Sequence, residues 1–117
     1  MDMLLKKFLP RIEFDSYEDF KANYKVNVPE DFNFGFDVVD AWADAEPEKK
    51  ALVWCDEEDD EKVFTFTDIK RLSNKAANFF KSLGVKKGSV VMLILRRRWE
   101  YWICATALHK IGAVLIP

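Results

Sequence analysis

The segment 86–117, KKGSVVMLILRRRWEYWICATALHKIGAVLIP, constrains the fold of this chain more than any other. The predicted strand, residues 89–95, contains an apolar run without alternation over residues 90–95, which is typical of a strand covered on both faces. After three arginines, residues 99–111 have a helical and almost entirely apolar pattern, Gly112 ends that helix, and residues 113–116 read as a second apolar strand. A strand, a helix and a strand in this order predict a parallel βαβ unit and hence an α/β fold.

A β-hairpin and an amphipathic helix are predicted ahead of this unit. Segments 51–55 and 63–66 read as strands, and the acidic run 56–61 reads as an exposed loop, since a metal site would need convergent ligands on a fixed backbone. The helix that follows begins at the cap Thr67 and ends at Gly84. Its predicted buried face consists of Ile69, Leu72, Ala76, Phe79, Phe80 and Leu83. On the helix of residues 99–111, the side chains predicted to face outward are Glu100, Thr106, His109 and Lys110.

Residues 1–32 are expected to form a leader with one helix, and residues 33–117 are expected to form the beginning of the main domain. The helix of the leader starts at the cap Ser16. In the main domain, Asn33 is predicted to cap a further flanking helix, and Pro47 marks its end. The apolar face predicted for this flanking helix consists of Phe34, Val38, Ala41, Trp42 and Ala45.

Composition argues against several functional classes. The formal net charge of −2 gives no electrostatic case for a nucleic-acid or anionic-membrane partner. The longest stretch free of Asp, Glu, Lys and Arg is residues 101–109, so no membrane span is expected. Cys55 and Cys104 lack the spacing of a zinc site or a disulfide framework. A chain without such cysteines and without a signal peptide is predicted to be cytoplasmic.

The arginine loop, residues 96–98, is the one candidate ligand site. With Trp99 and Glu100 it follows the carboxyl end of a predicted parallel strand, the edge at which open α/β sheets bind ligands. Arg98 would hold a phosphate or carboxylate bidentately, and Trp99 would stack on a ring. In the competing structural interpretation, Glu100 lies at the helix start and pairs with an arginine. We assign no catalytic residue, because the single histidine, His109, has no identifiable nucleophile as its partner. We also assign no metal ligand, since neither the cysteines nor the acidic run has the arrangement of a metal site.

Three segments resemble the beginning of the AMP-forming acyl-CoA synthetases, in the adenylate-forming superfamily. They are NFGFDVVDAWA (33–43), FTFTDIKRLSNKAANFFKSLGVKKGSVVMLIL (64–95) and RWEYWICATALHKIGAVLIP (98–117). The run 98–102 is most similar to the medium-chain branch, in which an R-x-P-E-W-W-like run is common, although Trp99 and Arg97 differ from it. The resemblance implies a partial adenylate-forming fold, with the parallel βαβ unit, the β-hairpin and the flanking helices as its N-terminal piece.

The resemblance also implies a two-step reaction. A carboxylic (fatty) acid attacks ATP to give an acyl-adenylate and pyrophosphate, and coenzyme A then takes the acyl group as a thioester. Mg²⁺ accompanies the ATP and neutralises its phosphates. The family's phosphate loop, adenine-binding region, ribose-binding acid and catalytic lysine all follow the matched segment. We therefore expect the chain by itself to be inactive and to bind none of these cofactors tightly.

Two other interpretations are compatible with the sequence. In one, the chain is a stand-alone, non-catalytic protein-interaction module that reuses this α/β fragment. In the other, it is an unrelated doubly wound nucleotide-binding protein, which would need a glycine fingerprint where residues 96–98 stand instead. As an N-terminal piece of an enzyme, the chain should leave apolar strand surface and a sheet edge uncovered, and we expect it to self-associate.

Overall fold

The computed structural model describes residues 2–117, with the side chains of residues 4–117, as two compact units, the first ending at Phe32. This first unit contains two helices, α1 (Asp2–Phe8) and α2 (Tyr17–Asn23), where the sequence predicts one. Ser16 caps α2 as predicted, because its Oγ accepts the backbone amide of Asp19 at 3.1 Å. Asp19 in turn receives two hydrogen bonds from the guanidinium of Arg11, which ties the preceding segment to the start of α2.

The second unit, residues 33–117, opens with a π-helical turn, Gly35–Asp40, which continues into α3 (Ala41–Ala45). Asn33 caps it as predicted, since its Oδ1 accepts the amide of Gly35 at 3.0 Å. The predicted apolar face is offset by one position, because Gly35 and Asp40 lie against Lys110, a contact that the spacing of residues 34–45 does not report. The residues that are buried are Gly35, Val39, Asp40 and Ala43, whereas those predicted, Phe34, Val38, Ala41, Trp42 and Ala45, are partly or fully exposed.

The predicted hairpin is present. Strands β1 (Lys50–Cys55) and β2 (Glu61–Thr65) pair antiparallel, with Leu52 opposite Phe64. The acidic loop between the strands is exposed, and the carboxylate of Asp56 accepts the amides of Glu58 and Asp60 within it. The loop therefore folds on itself as an Asx-type turn.

Helix α4 (Phe66–Ser82) begins two residues earlier than predicted, because Thr65 and not Thr67 is its cap. Thr65 is the last residue of β2, and its extended backbone suits a cap position. Its Oγ1 accepts the amide of Asp68 at 3.1 Å, and its own amide donates to the carboxylate of Asp68 at 3.0 Å, which completes a capping box. The hydroxyl of Thr67 donates instead to the carbonyl of Pro47.

The buried face of α4 differs in part from the predicted one. Ile69 is buried as expected, and Ser73, a polar residue, is fully buried beside it. Phe79 and Leu83, near the end of the helix, are mostly exposed. The prediction that these two residues are buried is therefore wrong.

The parallel βαβ unit is confirmed. Strands β3 (Val90–Met92) and β4 (Val114–Ile116) pair in parallel, with α5 (Glu100–Ile111) between them in the chain. Gly112 ends α5 with φ of 80°, a left-handed conformation that glycine adopts without strain. β3 is shorter than the predicted strand, residues 89–95, because β4 offers only three residues with which it pairs.

The core lies where α4 and α5 meet the hairpin and the π-helical turn. Val39, Ile69 and Ile103 are buried at its centre. The partly buried hydrophobic residues around them are Ala51, Leu52, Phe64, Phe66, Leu72, Ala76 and Trp99. On α5 two of the four side chains predicted to face outward, Thr106 and Lys110, are in fact buried. Among residues 2–117, no helix is both long enough and apolar enough to cross a membrane.

Candidate functional site

The arginine loop, residues 96–98, lies between β3 and α5 and is exposed. The indole Nε1 of Trp54, on strand β1, donates a hydrogen bond of 2.6 Å to the carbonyl of Arg97. Arg97 has φ of 45°, which is uncommon for a residue with a side chain. The hairpin therefore holds the backbone of this loop in one conformation across a long sequence separation.

Arg98 is engaged within the chain. Its Nη2 and Nε donate to the two carboxylate oxygens of Glu100 at 2.9 and 3.3 Å. The hydrogen bond from Arg98 holds the pKa of Glu100 below its usual value, and the same bond holds the pKa of Arg98 above its own. Glu100 also stands in the first turn of α5, where a negative charge is favourable. The contacts thus match the structural interpretation, in which Glu100 lies at the start of the helix and pairs with an arginine.

Trp99 packs against the hairpin. Its ring lies 5.0 Å from that of Phe64, with 33° between the planes, and it flanks the buried core. The indole is half-buried, so part of its surface is occupied by protein and is not available to a ligand ring. The three candidate residues therefore lie close together, as predicted, while each already has a partner in the fold.

A groove of about 460 Å³ separates the arginine loop from the acidic loop of the hairpin. Its walls carry opposite charges: Arg96, Arg97 and Arg98 on one side, and Asp56, Glu57 and Glu58 on the other. Because carboxylates face the guanidinium groups, the field in the groove does not favour a phosphate. Among the residues that the structure describes, there is no group of three or more His, Cys, Asp or Glu side chains placed to hold a metal ion.

The ring of His109 is packed rather than presented to solvent. It meets the ring of Phe34 edge-to-face, with 5.7 Å between the centroids, and its Nδ1 is buried without a hydrogen-bond partner. Asn33 donates to the carbonyl of His109 at 2.9 Å. These contacts tie the end of α5 to the π-helical turn, in keeping with a structural role.

A buried charged network escaped the sequence analysis. The Nζ of Lys110 donates to Asp40 at 2.7 Å and to Asn74 at 2.8 Å, and the two ionic side chains are only 2% and 12% exposed. The network joins α5, the π-helical turn and α4. The sequence carries a signal for the burial of Lys110, which follows Ile103 by seven positions and shares its helical face, but none for its partners.

Comparison with known proteins identifies the family. The sequence profile described as "AMP-binding enzyme" matches residues 39–117. Human "Acyl-coenzyme A synthetase ACSM3, mitochondrial" is 36% identical over 110 residues, which cover 89% of this chain and 19% of that protein. Rat "Acyl-coenzyme A synthetase ACSM5, mitochondrial" is 38% identical over 96 residues, covering 77% of this chain and 17% of that protein. The chain thus spans about a fifth of the length of these relatives.

Solved structures agree with the sequence comparison. "Mycobacterium tuberculosis fatty acyl CoA synthetase" superimposes with a TM-score of 0.64 at 26% identity, over 73% of this chain and 16% of that one. The N-terminal domain of FACL13 from Mycobacterium tuberculosis superimposes with a TM-score of 0.64 at 27% identity, over 73% of this chain and 20% of that one. The matches confirm the resemblance stated from residues 33–117 and the partial α/β fold that it implied. The chain belongs to the AMP-binding enzyme family, and its similarity is to the N-terminal part of acyl-coenzyme A synthetases.

Proposed function

We propose that this chain is the N-terminal segment of an ATP-dependent acyl-CoA synthetase. The whole protein would join a carboxylic acid to AMP with release of pyrophosphate, and then transfer the acyl group to the thiol of coenzyme A. The observation that carries this proposal is the family match over residues 39–117, together with relatives that are acyl-coenzyme A synthetases. Similarity to the ACSM relatives, and the run 98–102, favour the medium-chain branch of these synthetases.

The part of the enzyme in this chain is proposed to be scaffold. ATP, Mg²⁺ and coenzyme A are the cofactors of the whole protein, and the groove beside the arginine loop does not fit the phosphates of the nucleotide. Arg98 is held by Glu100, and the opposite wall of the groove is acidic. The role proposed for Arg98, Trp99 and Glu100 is therefore to fix the start of α5 against the hairpin.

The proposal is tested by assaying pyrophosphate release from ATP and a medium-chain acid. The 117-residue chain alone is expected to give no release above a reaction without protein. Acid-dependent release by the chain alone would show that it carries catalytic groups of its own and would overturn the scaffold proposal.

A second candidate function, a non-catalytic interaction module, is favoured by one surface. Four apolar side chains on one face of the β3–β4 sheet are exposed: Val90, Met92, Val114 and Ile116. Ile94, two residues beyond the end of β3, is exposed as well. Val90 lies opposite Val114 and Met92 opposite Ile116, so these side chains form one continuous strip, which we call the apolar sheet face. We propose that it binds a second copy of the chain when nothing else covers it.

Light scattering at roughly tens of micromolar protein tests this self-association. The unmodified chain should appear as a dimer or larger species, and Met92→Lys should shift it toward the monomer. Tyr17→Lys, on an exposed aromatic residue of the leader, is the matched control and should change nothing. A clean monomer for the unmodified chain would contradict the proposal.

The two candidate functions are separated by the coding sequence after Pro117. Continuation into a Ser/Thr/Gly-rich loop that ends in Gly-Lys supports the enzyme, and a natural stop codon supports the module. Cytoplasmic localisation stays a prediction, and the ACSM relatives are named as mitochondrial. Microscopy of the chain with a C-terminal fluorescent tag tests it, and co-localisation with mitochondria would contradict it.

A further inference from the structure

A second concave surface lies at the opposite end of β3 from the arginine loop. It is a hollow of about 530 Å³, formed where α4 and α5 end and where the chain turns into β3. We call it the lysine hollow, because four lysines line it: Lys81, Lys86, Lys87 and Lys110. The amides of Asn74 and Asn78 line it as well, and none of its lining side chains in the described chain is acidic.

Ordinary structural roles account for only two of these lysines. Lys110 is neutralised by Asp40, and Lys81 lies in the last turn of α4, where a cation complements the helix dipole. Lys86 and Lys87 lie beyond that turn, where the dipole effect has fallen off. Within residues 2–117, neither ammonium has an ion-pair or hydrogen-bond partner. Two unpaired positive charges thus stand side by side at the rim of a hollow.

The turn that presents these two lysines is fixed by the surrounding backbone. The amide of Lys86 donates to Ser89 Oγ at 3.0 Å, and the amide of Gly88 donates to the carbonyl of Gly112 at 2.9 Å. The aliphatic stem of Lys87 lies over Gly112, where an added Cβ would come within 3.2 Å of its Cγ. Since the backbone of the turn and the stem of Lys87 are already held, a ligand would have to order only the end of the Lys87 side chain and the side chain of Lys86.

We propose that the lysine hollow binds a small soluble ligand that carries a diphosphate group. Its volume falls within the range of about 300–1,000 Å³ that is usual for small-molecule sites. Lysine ammonium groups bind phosphate as point charges, and the amide of Asn78 adds a neutral donor. The ring of Phe36 also lines the hollow. The ammonium of Lys110 lies over this ring, 5.4 Å from its centroid, and the ring is half exposed, so a planar ring on the ligand would contact its exposed part.

This site is distinct from the arginine loop and does not depend on the proposed acyl-CoA synthetase activity. The arginine loop follows the carboxyl end of β3, whereas Lys86 and Lys87 precede its amino end. A failure to bind diphosphate at the lysine hollow would therefore leave the proposed acyl-CoA synthetase function untouched. A failure of the proposed function would likewise leave diphosphate binding at the hollow untouched.

The test uses inorganic pyrophosphate and ADP as probes, with two-dimensional NMR of the ¹⁵N-labelled chain. Both probes should move the amide signals of residues 86–88, and ADP should additionally move the signals of Phe36. In calorimetric titrations, Lys86→Gln with Lys87→Gln should weaken binding by about tenfold, since two charge contacts are lost. The control variant, Lys25→Gln with Lys75→Gln, removes the same charge from exposed positions outside the hollow and should bind as the unmodified chain does.

Four results would overturn the proposal. The first is that neither pyrophosphate nor ADP binds, and the second is that pyrophosphate moves the signals of residues 96–98 instead of 86–88. The third is that both double variants weaken pyrophosphate binding equally. The fourth is that the chain binds only to phosphatidylcholine vesicles that contain phosphatidic acid. The last result would mean that the lysines contact a lipid surface and not a soluble ligand. The NMR map uses the unmodified chain, so it decides the question even if a variant fails to fold.

Discussion

Replacing Lys110 by methionine tests the packing of the second unit most severely. Lys110 Nζ lies 2.7 Å from Asp40 and 2.8 Å from Asn74, and its side chain is 2% exposed. Methionine has nearly the same length and shape but no charge. The variant therefore keeps most of the apolar contacts and leaves the carboxylate of Asp40 buried without its cation.

The size of the effect follows from that unpaired charge. Removing one partner of a buried ion pair costs about 3–5 kcal/mol, because the other charge stays away from water. For a chain of this size, a loss of about 3 kcal/mol lowers the midpoint of thermal unfolding by about 10 °C or more. Replacing both partners, Lys110→Met with Asp40→Leu, should recover much of the loss, because neither buried charge then remains.

Urea unfolding followed by tryptophan fluorescence measures these differences. The matched control is Lys70→Met, whose pair with Asp44 is largely exposed and should contribute less than about 1 kcal/mol. The free energy of unfolding should be highest for the unmodified chain, lower for Lys70→Met and lowest for Lys110→Met. The slope of this free energy against urea concentration should be the same for all three. If Lys110→Met loses no more stability than Lys70→Met, the buried network does not hold the three helical segments together.

Two further substitutions test how α4 and the π-helical turn are built. Thr65→Ala should lower the free energy of unfolding by about 1 kcal/mol, because the cap of α4 is lost. Thr67→Ala should lower it by clearly less. If urea unfolding shows the larger loss for Thr67→Ala, Thr67 is the cap and the assignment of Thr65 is wrong. The amide of Thr65 holds the pKa of Asp68 below its usual value, so the stability that this carboxylate contributes is present above about pH 4 and is lost as the pH falls through the lowered pKa. The stability gap between the unmodified chain and Asp68→Asn should accordingly close in acid, and a gap independent of pH would contradict this. Gly35→Ala should destabilise the chain by about 1–3 kcal/mol, because the Cβ of the alanine would lie 2.5 Å from Lys110 Cγ. This loss is expected although alanine favours helices more than glycine does. A stabilised Gly35→Ala variant in the same assay would refute the contact.

Local patterns were sufficient to predict the main helices and strands of residues 33–117, but not which residues of different elements contact one another. The apolar run before residue 96, the helical pattern after it and Gly112 predict the βαβ unit, since strand and helix periodicities are properties of a short segment. Lys110 was placed on the outside because a lysine is seldom buried without a partner. Its partner Asp40 stands 70 positions earlier, and no local pattern reports such a pairing.

At the candidate site, too, the sequence predicts which residues are neighbours along the chain but not which distant residues contact them. Arg98, Trp99 and Glu100 lie together because they are consecutive, and the opposite charges of Arg98 and Glu100 already predict their bond. The contacts of Trp99 with Phe64 and of Trp54 with Arg97 depend on how the hairpin docks beside α5. Docking of this kind is decided by the whole core, so the sequence alone could not show that these side chains are already occupied.

The central claim, that this chain is the N-terminal scaffold of an acyl-CoA synthetase, is tested most directly by a chimera. The chain would replace the corresponding segment of human ACSM3, with which it shares 36% identity over 110 residues. Pyrophosphate release from ATP and a medium-chain acid is then measured for the chimera, for this chain alone and for the truncated remainder of ACSM3. We expect acid-dependent release by the chimera and none by either part. A chimera that unfolds cooperatively, and is therefore folded, but releases no pyrophosphate would contradict the claim.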